Sequence, residues 1–184
     1  APDARIARDM TTDDTHWDEA PLPPAGSRLE SFIRRLEAQH EVLDQACRLI
    51  ASIDGPVLEL GLGNGRTFDH LRARLPNRRI VAFDRALAAH GSSVPGEGDL
   101  CLGEIREEAA RFVGQGTALV HADIGTGYDD KDAITLTWLP GLTASLLVPG
   151  GIAASGLPLD HPALQRLSTG PRVPGDRYFL YRRR

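Results

Sequence analysis

The stretch Val57-Leu58-Glu59-Leu60-Gly61-Leu62-Gly63-Asn64-Gly65-Arg66-Thr67 constrains this chain more than any other. A short apolar run carries an acid, glycines follow at alternate positions, and a helical pattern then begins. Glycine reaches backbone conformations closed to other residues and lets a ligand come close to the main chain. A helix start adds free N–H groups that suit a carboxylate. A strand, a glycine turn and a helix in that order form the unit of an open α/β sheet, which binds ligands beyond the carboxyl ends of its strands.

The remaining chain repeats the alternation. Ser27 and Glu30 form a capping box, and Leu29, Phe32, Ile33, Leu36, His40, Leu43, Cys47 and Ile50 give one apolar helical stripe, ended by Asp54-Gly55-Pro56. After the glycine loop come a helix over Arg66–Leu75, a strand over Arg79–Phe83 and a short helix over Arg85–His90. Leu100–Leu102 reads as a strand, Glu104–Val113 as a helix and Ala118–Ala122 as a strand. Asp129–Leu139 and Leu142–Val148 read as helices broken by Pro140-Gly141, and the turn Pro149-Gly150-Gly151 leads into a strand over Ile152–Ser155. At most a short helix follows Asp160-His161-Pro162, and Tyr178–Tyr181 forms a last strand. The expected fold is α/β: a single doubly wound, mostly parallel sheet of six or seven strands, with helices on both faces and an antiparallel C-terminal strand. Residues 27–184 form this domain, with an N-terminal helix over 27–51, a core over 57–155 and a C-terminal strand region over 156–184. A polar, proline-rich arm over residues 1–26, carrying Trp17, precedes it.

Composition narrows the function. The 184 residues are enough for one domain with a full core. A net charge of −4 gives no basic footprint for nucleic acid, and Arg182, Arg183 and Arg184 read as a solvated tail. Lys131 is the single lysine, which fits an arginine-rich, G+C-rich bacterial origin. Cys47 and Cys101 match no metal spacing and read as buried, reduced thiols of a cytoplasmic protein. Nothing reads as a signal peptide, a membrane span or an internal repeat.

The glycine spacing separates two ligand classes. A dinucleotide fingerprint requires G-x-G-x-x-G, but the sixth position from Gly61 is Arg66. The pattern is E-x-G-x-G-x-G, which resembles motif I of the class I S-adenosylmethionine-dependent methyltransferases. A carboxylate at Glu59 suits a ligand with cationic ammonium and sulfonium groups and repels a diphosphate. The strand ending in Asp84, the segment Leu102-Gly103-Glu104-Ile105 and the stretch His121-Ala122-Asp123-Ile124-Gly125 extend the match over roughly residues 57–155. The whole chain is also similar to a small family of uncharacterised bacterial methyltransferase-like proteins, through GPVLELGLGNGRTFDHLR, VAFDRALAAH, HADIGTG and RYFLYRR. The resemblance implies that Glu59, Gly61, Leu62, Gly63, Asn64, Gly65 and Thr67 hold the methionine part of S-adenosyl-L-methionine. It likewise implies Asp84, with Arg85 beside it, at the ribose hydroxyls, Glu104 and Ile105 at the adenine, and Asp123 next to the transferred methyl.

Methyl transfer chiefly needs alignment of acceptor and methyl, and some acceptors need a general base. Asp123 is the candidate catalytic residue, as a base or as a group orienting the acceptor. Thr126 and Tyr128 are candidate pocket residues, while His121 reads equally as core or cleft. His40 reads as a satisfied buried histidine or a cleft-facing one. His16, His70, His90 and His161 show no metal spacing, so no metal ligand is expected. The absence of N/D-P-P-Y/F after the fourth strand argues against methylation of DNA bases. Ala154-Ser155-Gly156, where an Asp-Asn pair would stand, argues against a magnesium-dependent catechol-type reaction. The expected acceptor is a small molecule, with no nucleic-acid or membrane partner and with a homo-oligomer left open. A non-catalytic S-adenosylmethionine-binding sensor or assembly protein and an oxidoreductase are the alternatives.

Overall fold

The computed structural model describes residues 26–184, so the arm and Trp17 lie outside the described residues, Gly26 excepted. Helix α1 (Arg28–Leu49) opens with the expected capping box: the Ser27 hydroxyl accepts from the Glu30 amide and the Glu30 carboxylate accepts from the Ser27 amide. Seven strands follow, β1 (Val57–Leu60), β2 (Ile80–Asp84), β3 (Leu100–Leu102), β4 (Thr117–Ala122), β5 (Leu147–Ser155), β6 (Leu164–Arg166) and β7 (Phe179–Arg183). They form one sheet in the order β3-β2-β1-β4-β5-β7-β6. Pairing is parallel from β3 to β5, and β7 runs antiparallel between β5 and β6. The sheet therefore has seven strands. Helices α2 (Arg66–Arg74), α3 (Ile105–Ala110), α4 (Asp129–Leu136) and α5 (Leu139–Leu146) complete the chain.

Strand side chains alternate between faces. Val57, Ile80, Ala82, Leu119 and Leu180 pack against α1 and α2, while Leu58, Leu60, Val81, Phe83 and Val120 pack against α3 and α5. Glu59, two residues after Val57, therefore points to the α1 side inside the core. Each fully buried Leu, Ile or Val contributes about 1.5–3 kcal/mol. Val42, Leu43, Ala46 and Ile50 anchor α1 in this way. The first half of its apolar stripe is exposed at Leu29, Phe32, Ile33 and Leu36, and Phe32 and Leu36 border a cavity beyond the ends of β1 and β4.

Several expected boundaries shift. No helix forms over Arg85–His90; bends lead to a 3₁₀ turn at Gly91–Ser93, capped by the His90 ring accepting from the Ser92 amide. The break between α4 and α5 falls at Thr137-Trp138, and Pro140 sits in the first turn of α5, where its missing N–H costs nothing. Pro149-Gly150-Gly151 lies inside β5, at an irregularity where the β4 partners shift between Thr117 and Leu119. The segment after Pro162 forms β6 in place of a helix. Cys47 is buried, with its thiol pushed up to about 11 by desolvation, whereas Cys101 is only half-buried.

Candidate active site

The carboxyl ends of β1, β2, β3 and β4 lie side by side around the glycine loop, and α1 covers the β1 and β4 ends. The glycine loop is pinned to the sheet by the Gly61 and Leu62 amides, both donating to the Phe83 carbonyl. Gly63 has a φ of +53° and faces open space: a β-carbon there would meet no atom within 4 Å. Gly65, at φ +84°, has a different task. A β-carbon on it would stand 2.6 Å from the Ser93 β-carbon, so this glycine lets the loop touch the 3₁₀ turn. Neither Gly65 nor Glu59 lines the cleft.

Two cavities flank the loop. One, of about 480 Å³, is lined by Gly61, Gly63, Asp84, Arg85, Glu104, Ile105 and Asp123 among others. The second, about 170 Å³, is lined by Gly61, Leu62, Gly63, Asn64, Thr67 and Asp123 from the expected set, and by Phe32, Arg35, Leu36 and Gln39 of α1. Ten of the twelve expected residues thus border the two cavities around one glycine loop. A larger cavity lies at the amino ends of the strands, around Cys47, Asp54 and Arg78, away from this loop.

Asp84 accepts from the Gly63 amide at 2.8 Å and from the Arg85 amide at 2.7 Å, so it shapes the loop it faces. Arg85 and Glu104 pair at 3.2 Å at the cavity edge, both well exposed. Ile105, the first residue of α3, is half-buried and supplies an apolar wall. A long cleft with an open glycine, a strand-end acid and an apolar wall fits an elongated nucleoside ligand.

Glu59 belongs to a buried polar chain. Its carboxylate accepts from the Thr67 hydroxyl and lies 2.6 Å from His121 Nδ1. His121 Nε2 meets the Tyr178 hydroxyl, which accepts from Gln39 Nε2 at 3.1 Å. The Gln39 amide also donates to Asp123 Oδ2 at 2.9 Å, and Arg35 donates to Asp123 Oδ1 at 2.7 Å. Burial, then the Asp123 charge, raises the Tyr178 hydroxyl well above its usual range, so it stays protonated. In the neutral tautomer the Tyr178 proton goes to His121 Nε2 and Nδ1–H donates to Glu59, which satisfies every member. Burial opposes charge on His121, but the Glu59 charge and hydrogen bond outweigh it and the net direction is upward. Tyr178→Phe leaves His121 and Gln39 short of a partner in a dry core. The expected cost is about 1–3 kcal/mol, read as a lower midpoint in denaturant at unchanged slope.

His121 is therefore a core residue, not a cleft one. His40 is neither buried nor in the cleft. Thr126 lines the cavity of about 480 Å³, with its amide and hydroxyl fixed by Asp132, whereas Tyr128 is exposed under Lys131. Sequence reasoning missed Arg35, Gln39 and Tyr178. The first two lie four apart on α1, hence on one face, and that polar pair beside an apolar stripe was the available signal.

The sequence profile of the S-adenosyl-L-methionine methyltransferase family matches residues 26–183. The crystal structure of an S-adenosyl-L-methionine methyltransferase from Silicibacter pomeroyi DSS-3 is 39% identical, with a TM-score of 0.79 over 85% of this chain and 99% of that one. The N-methyltransferase NodS from Bradyrhizobium japonicum WM9 shares the fold at 14% identity, with a TM-score of 0.51 over 85% of this chain and 98% of that one. A probable spermidine synthase from Corynebacterium glutamicum is also similar in fold, at 15% identity and a TM-score of 0.51 over 64% of this chain and 47% of that one. No curated protein matches the sequence. Among the described residues no helix is long and apolar enough to cross a membrane. With the family profile spanning nearly the whole chain and a close relative sharing its fold, the protein belongs to the S-adenosyl-L-methionine methyltransferases and uses S-adenosylmethionine as its cofactor.

Proposed function

We propose that the chain methylates a small molecule bound against Asp123. One observation carries this reading: Asp123 borders both cofactor-side cavities and a third, of about 290 Å³, lined also by Arg35, Thr126, Gly156, Leu157 and Arg177. A cavity of that size lies at the small end of those that hold metabolite-sized ligands. When bound, S-adenosylmethionine supplies a methyl group on an electrophilic sulfonium. The cleft residues proposed to hold it are Gly61 to Asn64 and Thr67 with the methionine part, Asp84 and Arg85 with the ribose, and Glu104 and Ile105 with the adenine. What remains for the protein is alignment at roughly 3 Å and exclusion of water.

Asp123 performs the alignment. Its side chain is about one-fifth exposed, and Arg35 and Gln39 hold both its oxygens. A carboxylate fixed in this way orients a donor group of the acceptor through its remaining lone pairs. Arg35 and Arg177 line the same pocket with Asp123, Asp132 and Asp176, a mixed charged lining suited to a polar acceptor. Asp123→Asn keeps the shape but puts an amide N–H₂ against one of the two donors. Turnover is expected to fall by at least about tenfold, equivalent to about 1.4 kcal/mol of barrier. Cofactor affinity should change far less. A label-transfer assay with methyl-labelled cofactor and fractionated cell extract provides the check. Label should enter the small-molecule fraction; label confined to protein or RNA, or an Asp123→Asn enzyme at full rate, refutes the assignment.

A further inference from the structure

Helices α1 and α2 bring together three side chains outside the cleft. His40 and Asp44 are one turn apart on α1, and His70 projects from α2. His70 Nε2 lies 2.8 Å from Asp44 Oδ1, and His40 Nε2 lies 3.9 Å from Asp44 Oδ2. The two imidazole rings are 4.9 Å apart, tilted by 54°. One ligand atom from each residue lies within 4.8 Å of the other two. His40 also borders a groove with Leu36, Glu37, Glu41 and Arg172, so solvent reaches the cluster.

We propose that His40, Asp44 and His70 bind a divalent first-row metal ion of the zinc type, with water at the open position. Two imidazoles and one carboxylate form a donor set suited to such ions. Zinc bonds of about 2.0–2.2 Å require the donors to close to roughly 3.5 Å of one another. The His40 side chain is 58% exposed and can rotate through that distance. Arg74 is the competitor: its Nε stands 3.0 Å from Asp44 Oδ1, and its half-exposed side chain must swing aside for the metal to take its place. The ion would tie α1, which carries Arg35 and Gln39 onto Asp123, to α2, which carries Thr67 onto Glu59. The spacing of the histidines in sequence hides this cluster, because His70 reaches it from a different helix.

The competition supplies the test. The untagged, metal-stripped chain is titrated with Zn²⁺ by calorimetry and with Co²⁺ by visible absorption, alongside surface variants checked for fold by circular dichroism. One equivalent of each ion should bind. His40→Ala and His70→Ala should each weaken binding by about tenfold or more, since even outer partners of a metal site contribute that much. Arg74→Gln should tighten it severalfold, which a plain ion-pair cluster gives no reason to expect. Absence of saturable binding, binding unchanged in both histidine variants, or weaker binding in Arg74→Gln overturns the proposal.

Discussion

Gly63→Val is expected to abolish binding of S-adenosylmethionine and of its demethylated product. The position combines a φ of +53° with empty space where a β-carbon would project. A branched side chain would fill that space, which is the cleft itself. It would also hold a β-branched residue in the left-handed region, at a cost of about 1–3 kcal/mol. The Gly63 amide donates to Asp84, so a displaced loop would move the acid that faces the neighbouring cavity. Calorimetry should show no heat with either sulfur ligand, while the far-ultraviolet spectrum stays native and the melting temperature falls by several degrees. Micromolar binding by a folded valine variant would place the cofactor elsewhere.

Glu59→Ala is expected to damage the fold more than it damages any single contact with cofactor. The carboxylate is fully buried, with Thr67 on one oxygen and His121 on the other. Its removal leaves His121 Nδ1–H without an acceptor and opens a void between the sheet and α2. Breaking a buried pair of this kind costs about 3–5 kcal/mol, a large share of a typical domain's stability of about 5–15 kcal/mol. Glu59→Gln should recover much of the loss, because the amide oxygen accepts from His121 and the Thr67 hydroxyl can turn to accept from the amide nitrogen. Denaturant melts of both variants separate the two roles. A Glu59→Ala protein of wild-type stability with weakened cofactor binding would show that the acid serves the ligand directly.

The contrast between Glu59 and Asp84 shows what sequence could and could not supply. Both are acids in or after a strand beside the glycine loop, and the resemblance treats both as cofactor contacts. The strand pattern made β1, β2 and β4 legible, since parallel strands buried on both faces read as apolar runs. Which face a mid-strand acid takes depends on its partner, and His121 lies 62 residues away on β4. Likewise Arg35 and Gln39 flank the apolar stripe of α1 in sequence, and only the position of that helix beside Asp123 gives them a role. The missing β6 has three residues held by edge pairing with β7, too short for any alternation to register. Pro149-Gly150-Gly151 misled for the opposite reason: strong turn residues sit at an irregularity inside a strand.

The placement of Tyr178 just before β7 sets an order of assembly. It joins Gln39 across 139 residues of sequence and His121 across 57. Contacts so distant in sequence form late, after the entropy of closing a long loop has been spent. The glycine loop, β2 and β4 can pair, and α1 can dock on them through Arg35 and Gln39 at Asp123, before Tyr178 closes the buried chain between His121 and Gln39. A chain halted before β7 would thus hold the glycine loop but leave His121 Nε2 and one Gln39 amide proton without the Tyr178 hydroxyl.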